Sequence, residues 1–357
     1  MTERCYAEVS LGAIRENYRI YRSQLYPHQR IIAVVKADAY GHGASEVAMA
    51  LSDEGCRDLA VATLEEGVAL REAGIGGSVL ILGYTPPERL RDALEYKLMQ
   101  TVIDREYAEE VTRWAPSLPV QLAIDTGMRR AGFCPRDGSL REWGVRLNVR
   151  GIYTHLAAAD DKCQSEFTKS QLAEFDIAVN SVGRKLEYTH ALNSAGGLLF
   201  NTGATSHVRL GIALYGIPPS PDVSVPERVR PTLAWYATLS STRWVERGET
   251  VGYGRGYTAR RRTLIGTVEV GYADGFRRCL SGVGRVLVGG AYAPVVGRVC
   301  MDRLTVDLTG APVAQAGDRV TLIGEGCSAA DMAGCAGTIP YEVLTGISKR
   351  VKRIYIS

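Results

Sequence analysis

The 357-residue chain is 46% hydrophobic and 23% charged, an ordinary globular composition with enough length for one large core or two domains. Its 42 Lys and Arg against 39 Asp and Glu leave a net charge of +3 with no long run of one sign, which argues against a nucleic-acid or membrane-surface partner. Eight scattered cysteines without C-x-x-C spacing, no basic-then-apolar leader in MTERCYAEVS and no apolar run of membrane-spanning length point to reduced thiols in a cytoplasmic protein and away from zinc.

The chain opens CYAEVSLGAIRENYRIYRSQL, a short alternation followed by helical spacing, with Ser10 as the N-cap of a helix that carries Ile14, Tyr18 and Tyr21. Residues 31–35, IIAVV, are apolar on both faces, the pattern of a central strand in a parallel sheet. Lys36 closes that run, ahead of a Gly-punctuated turn that reaches Gly43. Partial desolvation at a strand end lowers an ammonium's pKa and favours the neutral amine, the form that condenses with carbonyls. Lys36 is therefore a candidate Schiff-base lysine, and the competing reading is a side chain that snorkels to solvent.

Short apolar runs then recur at 59–63, 79–83, 99–103, 120–124, 151–155, 188–192 and 207–211, separated by segments such as LEEGVALREAG and SQLAEFDIAVNSVG with amphipathic helical spacing. With the lysine strand this makes about eight β/α units, which predicts an α/β chain built as a (β/α)8 barrel; a doubly wound open sheet has the same periodicity. Lys36, Asp125, His155, Asn193, Ser194 and Arg209 all fall at or near the C-terminal ends of these runs, the face on which barrel enzymes build their sites. The segment 218–231, PPSPDVSVPERVRP, cannot continue a helix or supply a central strand. The predicted domains are thus a barrel over 10–231 and a mainly-β domain over 232–357, joined by a strand from 1–9. The second half carries period-two strands, Gly-rich turns, the basic cluster 260–262 and two late helices.

The motifs AVVKADAYGHG, IDTGMRRAGF, YTHLAAADD, HALNSAG, VRLGIALYG, VGYGRGY, GYADGF and GRVCMD occur in this order. By them the chain resembles the fold-type III pyridoxal-phosphate amino-acid racemases, the alanine racemase family, over essentially its whole length. The resemblance implies that Lys36 carries pyridoxal 5'-phosphate as a Schiff base and that Tyr40, Asn193, Ser194, Gly211 and Ile212 surround its phosphate. It sets Arg209 against the pyridine nitrogen, and makes Tyr253 the second catalytic base, reaching the neighbouring subunit of a homodimer. His155, bridging toward Arg209, would supply that tyrosine with positive charge or a hydrogen bond. Arg130 and Met301 would bind the substrate carboxylate, Tyr272 would line the entry, and no metal is implied.

Two positions depart from the family pattern. Ala123 stands where many relatives have a carbamylated lysine, and Lys349 where several have a phosphate-contacting tyrosine. The resemblance implies alanine as substrate, for D-alanine supply to the cell wall. Serine or a broader set of small amino acids, and a non-catalytic cofactor-binding protein, are the alternatives.

Overall fold

The structure, a computed structural model, describes residues 3–311 and 313–357. Nine strands open the chain: β1 (Cys5–Ser10), β2 (Arg30–Val34), β3 (Asp58–Val61), β4 (Ser78–Ile81), β5 (Met99–Val102), β6 (Val120–Ile124), β7 (Val149–Thr154), β8 (Tyr188–His190) and β9 (His207–Leu210). Strands β2 to β9 form one parallel sheet in the order β8-β7-β6-β5-β4-β3-β2-β9. Two backbone hydrogen bonds complete the circle between β8 and β9: Ser206 N–H to Thr189 O, 2.9 Å, and Arg209 N–H to Leu192 O, 3.0 Å. The strands are buried almost throughout, which is why their sequences read as apolar runs without alternation. Each predicted run overlaps an observed strand, with starts displaced by at most two residues, and the open-sheet alternative is excluded by the closure.

The helices between the strands bury one stripe each. Leu11–Ser23 turns Ile14, Asn17, Tyr18 and Tyr21 inward, and Ser165–Ser181 buries Thr168, Gln171, Phe175 and Ala178 at spacings of three and four. Ser10 closes β1 and the first helix starts directly after it. Helix Leu64–Glu72 starts with a capping box: the Thr63 hydroxyl accepts the Glu66 N–H, and the Glu66 carboxylate accepts the Thr63 N–H. No helix among the described residues is long and apolar enough to cross a membrane.

The expected strand-end position of Lys36 is modified. β2 stops at Val34, and the helical turn Lys36–Gly41 that follows is left-handed, with φ of 52°, 55°, 52° and 54° at Ala37, Asp38, Ala39 and Tyr40. None of the four is glycine, and each L-residue in this conformation costs about 1–2 kcal/mol. Local hydrogen bonds hold it. Ala37 N–H donates to Glu66 Oε1 at 2.7 Å, Ala44 N–H to Asp38 Oδ1 at 2.8 Å, and Ala39 N–H to Val35 O at 2.8 Å.

The residues divide into two compact units, Gly12–Ala39 with Gly43–Arg230, and Pro231–Ser357 with Tyr40–His42 and the chain up to Leu11. The border therefore lies one residue before the expected one, and Tyr40–His42 leaves the barrel it follows in sequence. The reason is local packing in the second unit. Arg353 Nε donates to Gly41 O at 3.0 Å, the Tyr40 ring lies 6.0 Å from that of Tyr341, and a Cβ on Gly41 would come within 2.5 Å of Leu344 O.

The second unit adds β10 (Leu233–Val245), β11 (Thr250–Val251), β12 (Tyr257–Thr258), β13 (Thr263–Val268), β14 (Arg285–Val288), β15 (Ala291–Val296), β16 (Leu304–Asp307), β17 (Arg319–Ile323) and β18 (Lys352–Ile356). The 13-residue β10 pairs in turn with β1, β17 and β13, so one strand supports the whole sheet. β1 also pairs in parallel with β18, joining both chain ends. Trp235 sits at the centre without exposure, 6.3 Å from the Phe276 ring. In the basic cluster Arg262 pairs with Glu246 at 3.1 Å and lies over the Trp244 ring, an exposed structural contact.

Candidate active site

In the barrel unit the polar side chains gather at the C-terminal ends of the strands. Lys36 is half-buried just beyond β2. Burial, reinforced by the charges of Arg130 and Arg209, lowers its pKa, and Glu66 opposes this from the first turn of the helix Leu64–Glu72. Glu66 also accepts the Ala62 N–H at 2.7 Å, so one carboxylate ties the lysine turn to the loop after β3.

Arg209, on β9, is 3% exposed and has no carboxylate partner among the described residues. Its terminal nitrogens donate to His190 Nδ1 (2.5 Å), His190 O (3.2 Å), Thr154 O (2.7 Å), Ala191 O (3.1 Å) and His155 Nδ1 (3.3 Å). Burial brings its pKa down to about 10, still charged at neutral pH. The Tyr153 ring lies 5.3 Å from the guanidinium carbon.

Of the two roles expected of His155, positive charge or a hydrogen bond, its surroundings favour the second. Burial first, then the charges of Arg209, Arg130 and Lys36, push its pKa down to about 3, so the ring is neutral and supplies no positive charge. Because Nδ1 accepts from Arg209, the ring proton sits on Nε2, and His155 can offer a hydrogen bond only. The folded state thus refuses a proton that the unfolded chain accepts near pH 6.5. Between about pH 6.5 and 3 stability therefore falls as pH falls, by at most about 1.4 kcal/mol per pH unit for this histidine. His190, lowered well below 6.5 by burial, acts in the same direction. Thermal melts are expected to show a lower melting temperature at pH 5 than at pH 7; a flat profile would show that neither histidine is held neutral.

After β8, Asn193 Oδ1 caps the helix Ser194–Leu199 by accepting the Gly196 N–H at 2.8 Å. The Ser194 hydroxyl accepts the Gly211 N–H at 3.0 Å, which draws the start of the Ile212–Tyr215 turn against the start of that helix. Two helical N-termini and a hydroxyl whose own proton is free to donate thus converge after β8 and β9.

Arg130 lies in the loop after β6. Asp125 Oδ1 accepts the N–H groups of Gly127 (2.9 Å) and Arg129 (3.0 Å), Arg129 adopts φ 59°, and a Cβ at Gly132 would lie 2.6 Å from Asp125 N. The loop is therefore tightly constrained, while the Arg130 side chain is exposed and makes no hydrogen bond or ion pair among the described residues. Ala123 is buried on β6 and offers only a methyl group.

Tyr40, Tyr253, Tyr272 and Met301 belong to the second unit. Tyr40 is buried, and burial raises its phenol pKa. Tyr253 is 72% exposed in a turn set by Gly252 (φ 80°) and Gly254 (φ 66°). Tyr272 and Met301 come together because Tyr272 N–H donates to Cys300 O and Ala273 N–H to Met301 O, both at 3.0 Å. A Cβ on Gly271 would lie 2.3 Å from Met301 O and 2.4 Å from Cys300 O. Gly271→Ala is accordingly expected to destabilise by roughly 1–3 kcal/mol by forcing these loops apart, measurable by denaturant unfolding; unchanged stability would mean the loops separate freely. Asp274, without exposure, accepts the Gly271 N–H at 2.9 Å and pairs with Arg4 (2.5 Å) and Arg350 (2.8 Å), while its carbonyl accepts the Ser348 N–H. It is a structural hub that also fixes the exposed turn bearing Lys349.

The lysine, the cradle and the buried arginine define a barrel enzyme that holds an anionic carbonyl compound on an amine. Residues 9–219 match the family model described as alanine racemase, N-terminal domain, and residues 232–355 that described as alanine racemase, C-terminal domain. The chain is 42% identical to the alanine racemase of Carboxydothermus hydrogenoformans, over 98% of this chain and 99% of that one. It is 39% identical to alanine racemase 1 of Bacillus subtilis, covering 98% and 92%. Among solved structures, the alanine racemase of Clostridium difficile 630 superposes with a TM-score of 0.94 at 36% identity, covering 100% of this chain and 96% of that one. The chain belongs to the alanine racemase family, isomerases that interconvert L- and D-alanine with pyridoxal 5'-phosphate.

The donor set fits that group. The cradle after β8 and β9 presents N–H and O–H donors, as a phosphate requires, and Arg209 Nε–H has no partner among the described residues, as an unprotonated ring nitrogen requires. The Glu66 carboxylate beside the lysine turn is occupied by backbone N–H groups. Sequence reasoning missed Glu66, Tyr153, His190 and Gln121. His190 and Tyr153 carried a signal, as the first residues of HALNSAG and YTHLAAADD.

Proposed function

We propose that this chain racemises alanine by a two-base mechanism in which Lys36 and Tyr253 serve opposite faces of the substrate's α-carbon. The observation that carries the reading is the half-buried Lys36, whose ammonium is disfavoured by burial and by two arginine charges, so that its amine is available as nucleophile and base. When bound, pyridoxal phosphate supplies the electron sink that acidifies the substrate's α-proton. Lys36 holds it covalently. Tyr40, Asn193, Ser194, Gly211 and Ile212 bind its phosphate, and Arg209 donates to its ring nitrogen.

A single base on one face returns the proton it removed, so inversion needs a donor on the other face. Tyr253 takes that role, entering from the partner subunit of a homodimer, which agrees with its exposure in its own chain. A free phenol has a pKa of about 10. The neutral His155, positioned by Arg209, donates its Nε2–H toward the phenolate and so makes it a better base at neutral pH. Arg130 and the Met301 N–H bind the substrate carboxylate, and Tyr272 lines the entry. Since Arg209 only donates, it would leave the ring nitrogen of the bound cofactor unprotonated, an arrangement that would favour return of the proton over side reactions.

The substrate preference is alanine. Lys349, in place of the tyrosine of several relatives, leaves serine as the competing substrate, because a small pocket discriminates weakly against one added hydroxyl. Assayed side by side, L-alanine is expected to exceed L-serine by about tenfold or more in kcat/KM. A serine preference would overturn the alanine reading and make Lys349 the first residue to exchange for tyrosine.

A further inference from the structure

Behind Arg209 the barrel interior holds a second pair of residues with no part in the mechanism above. His190 is without exposure, and its two nitrogens face Arg209 (Nδ1, 2.5 Å) and Gln121 Oε1 (Nε2, 2.6 Å). An arginine can only donate, so Nδ1 must be bare and the proton must sit on Nε2, where Gln121 accepts it. The Gln121 amide nitrogen is directed to Met99 Sδ at 3.7 Å, which keeps its oxygen on the histidine. Tyr153 stacks flat on His190, with centroids 5.0 Å apart and an angle of 5°, and His207 meets it edge-on at 6.5 Å. With Arg209, these are the titratable groups around the ring. The result is one tautomer and one charge state: a neutral imidazole with its lone pair on the guanidinium.

We propose that His190 and Gln121 are a positioning pair: they hold the Arg209 guanidinium so that its Nε–H remains for the cofactor's ring nitrogen, and so keep bound alanine on the racemisation route. The inference rests on the reading that Arg209 meets that nitrogen. If Arg209 shifts or loses its alignment, the ring nitrogen would take a proton from water, deepening the electron sink, and transamination would compete: the alanine α-carbon is oxidised by two electrons as the cofactor is reduced and takes the amino group, and water supplies the carbonyl oxygen of the pyruvate that leaves. Burial, which drives the His190 pKa well below its ordinary value, keeps the pair in this state across the working pH range.

The test uses the holoenzyme and three variants. Gln121→Glu has the same shape but draws a second proton onto His190, so that an Nδ1–H confronts Arg209. His190→Leu removes the acceptor, while His190→Asn returns one through its side-chain oxygen. The readouts are pyruvate formed per racemisation turnover and the pH titration of the bound cofactor's visible absorbance, which loss of packing alone does not alter in this pattern. Gln121→Glu and His190→Leu are expected to raise the pyruvate ratio by about tenfold or more and to shift the titration, with His190→Asn within about twofold of the native ratio. Cofactor-loaded Gln121→Glu or His190→Leu with native ratio and titration would overturn the pair. Should Arg209→Gln also leave both readouts native, the assignment of Arg209 to the ring nitrogen falls with it; should Arg209→Gln alone move them, only the positioning pair falls.

Discussion

Lys36→Ala is expected to abolish racemisation, by about a thousandfold or more, and to remove the absorbance of the lysine-linked cofactor. Two functions are lost together. In the proposed mechanism the side chain is both the covalent anchor and the base for one face, and a positioned base alone is worth about 10²–10⁴ in rate. The environment of Lys36 supports this double use: its ammonium is disfavoured by burial and by Arg130 and Arg209, while Glu66 tempers the shift. Glu66 also holds the left-handed turn in place through the Ala37 N–H, so the amine is fixed at the start of a rigid segment. The measurement is absorbance of the purified variant after cofactor addition. A native lysine-linked band would refute the assignment of Lys36.

Tyr253→Phe is expected to cost about 10²–10⁴ in racemisation while leaving the cofactor bound. The hydroxyl is the only atom removed, and its turn is set by Gly252 and Gly254, so the backbone is undisturbed. With one base left, solvent deuterium should still exchange with the α-proton of one enantiomer but not invert it. Exchange with both enantiomers, or a native rate, would place the second base elsewhere. Because the tyrosine is proposed to act across a dimer, sedimentation of the active enzyme should show two subunits, and an active monomer would contradict the shared site.

Much of the barrel was legible because strands buried on both faces appear as uninterrupted apolar runs, and VQLAI coincides with β6 residue for residue. The reactive residues were legible for a related reason: Lys36, His155 and Asn193 each directly follow or nearly follow such a run. Three features were not. Ala-Asp-Ala-Tyr contains no glycine, so nothing in the residues announces a left-handed turn; it is held by Glu66, 29 residues further on, which accepts the Ala37 N–H, and by the turn's own Asp38, which accepts the Ala44 N–H. Gln121 and His190 lie within strands, where a single polar residue gives no hint of what faces it across the barrel. Which of the two His155 would offer, charge or a hydrogen bond, was not legible because its pKa depends on burial and on three cations brought together only by folding.

The most direct test is chiral chromatography of the purified protein with pyridoxal phosphate, started separately from L-alanine and from D-alanine. The account predicts that both reactions converge on equal amounts of the two enantiomers, and that neither does so in Lys36→Ala. Cofactor-bound native protein that leaves both enantiomers unchanged would contradict it.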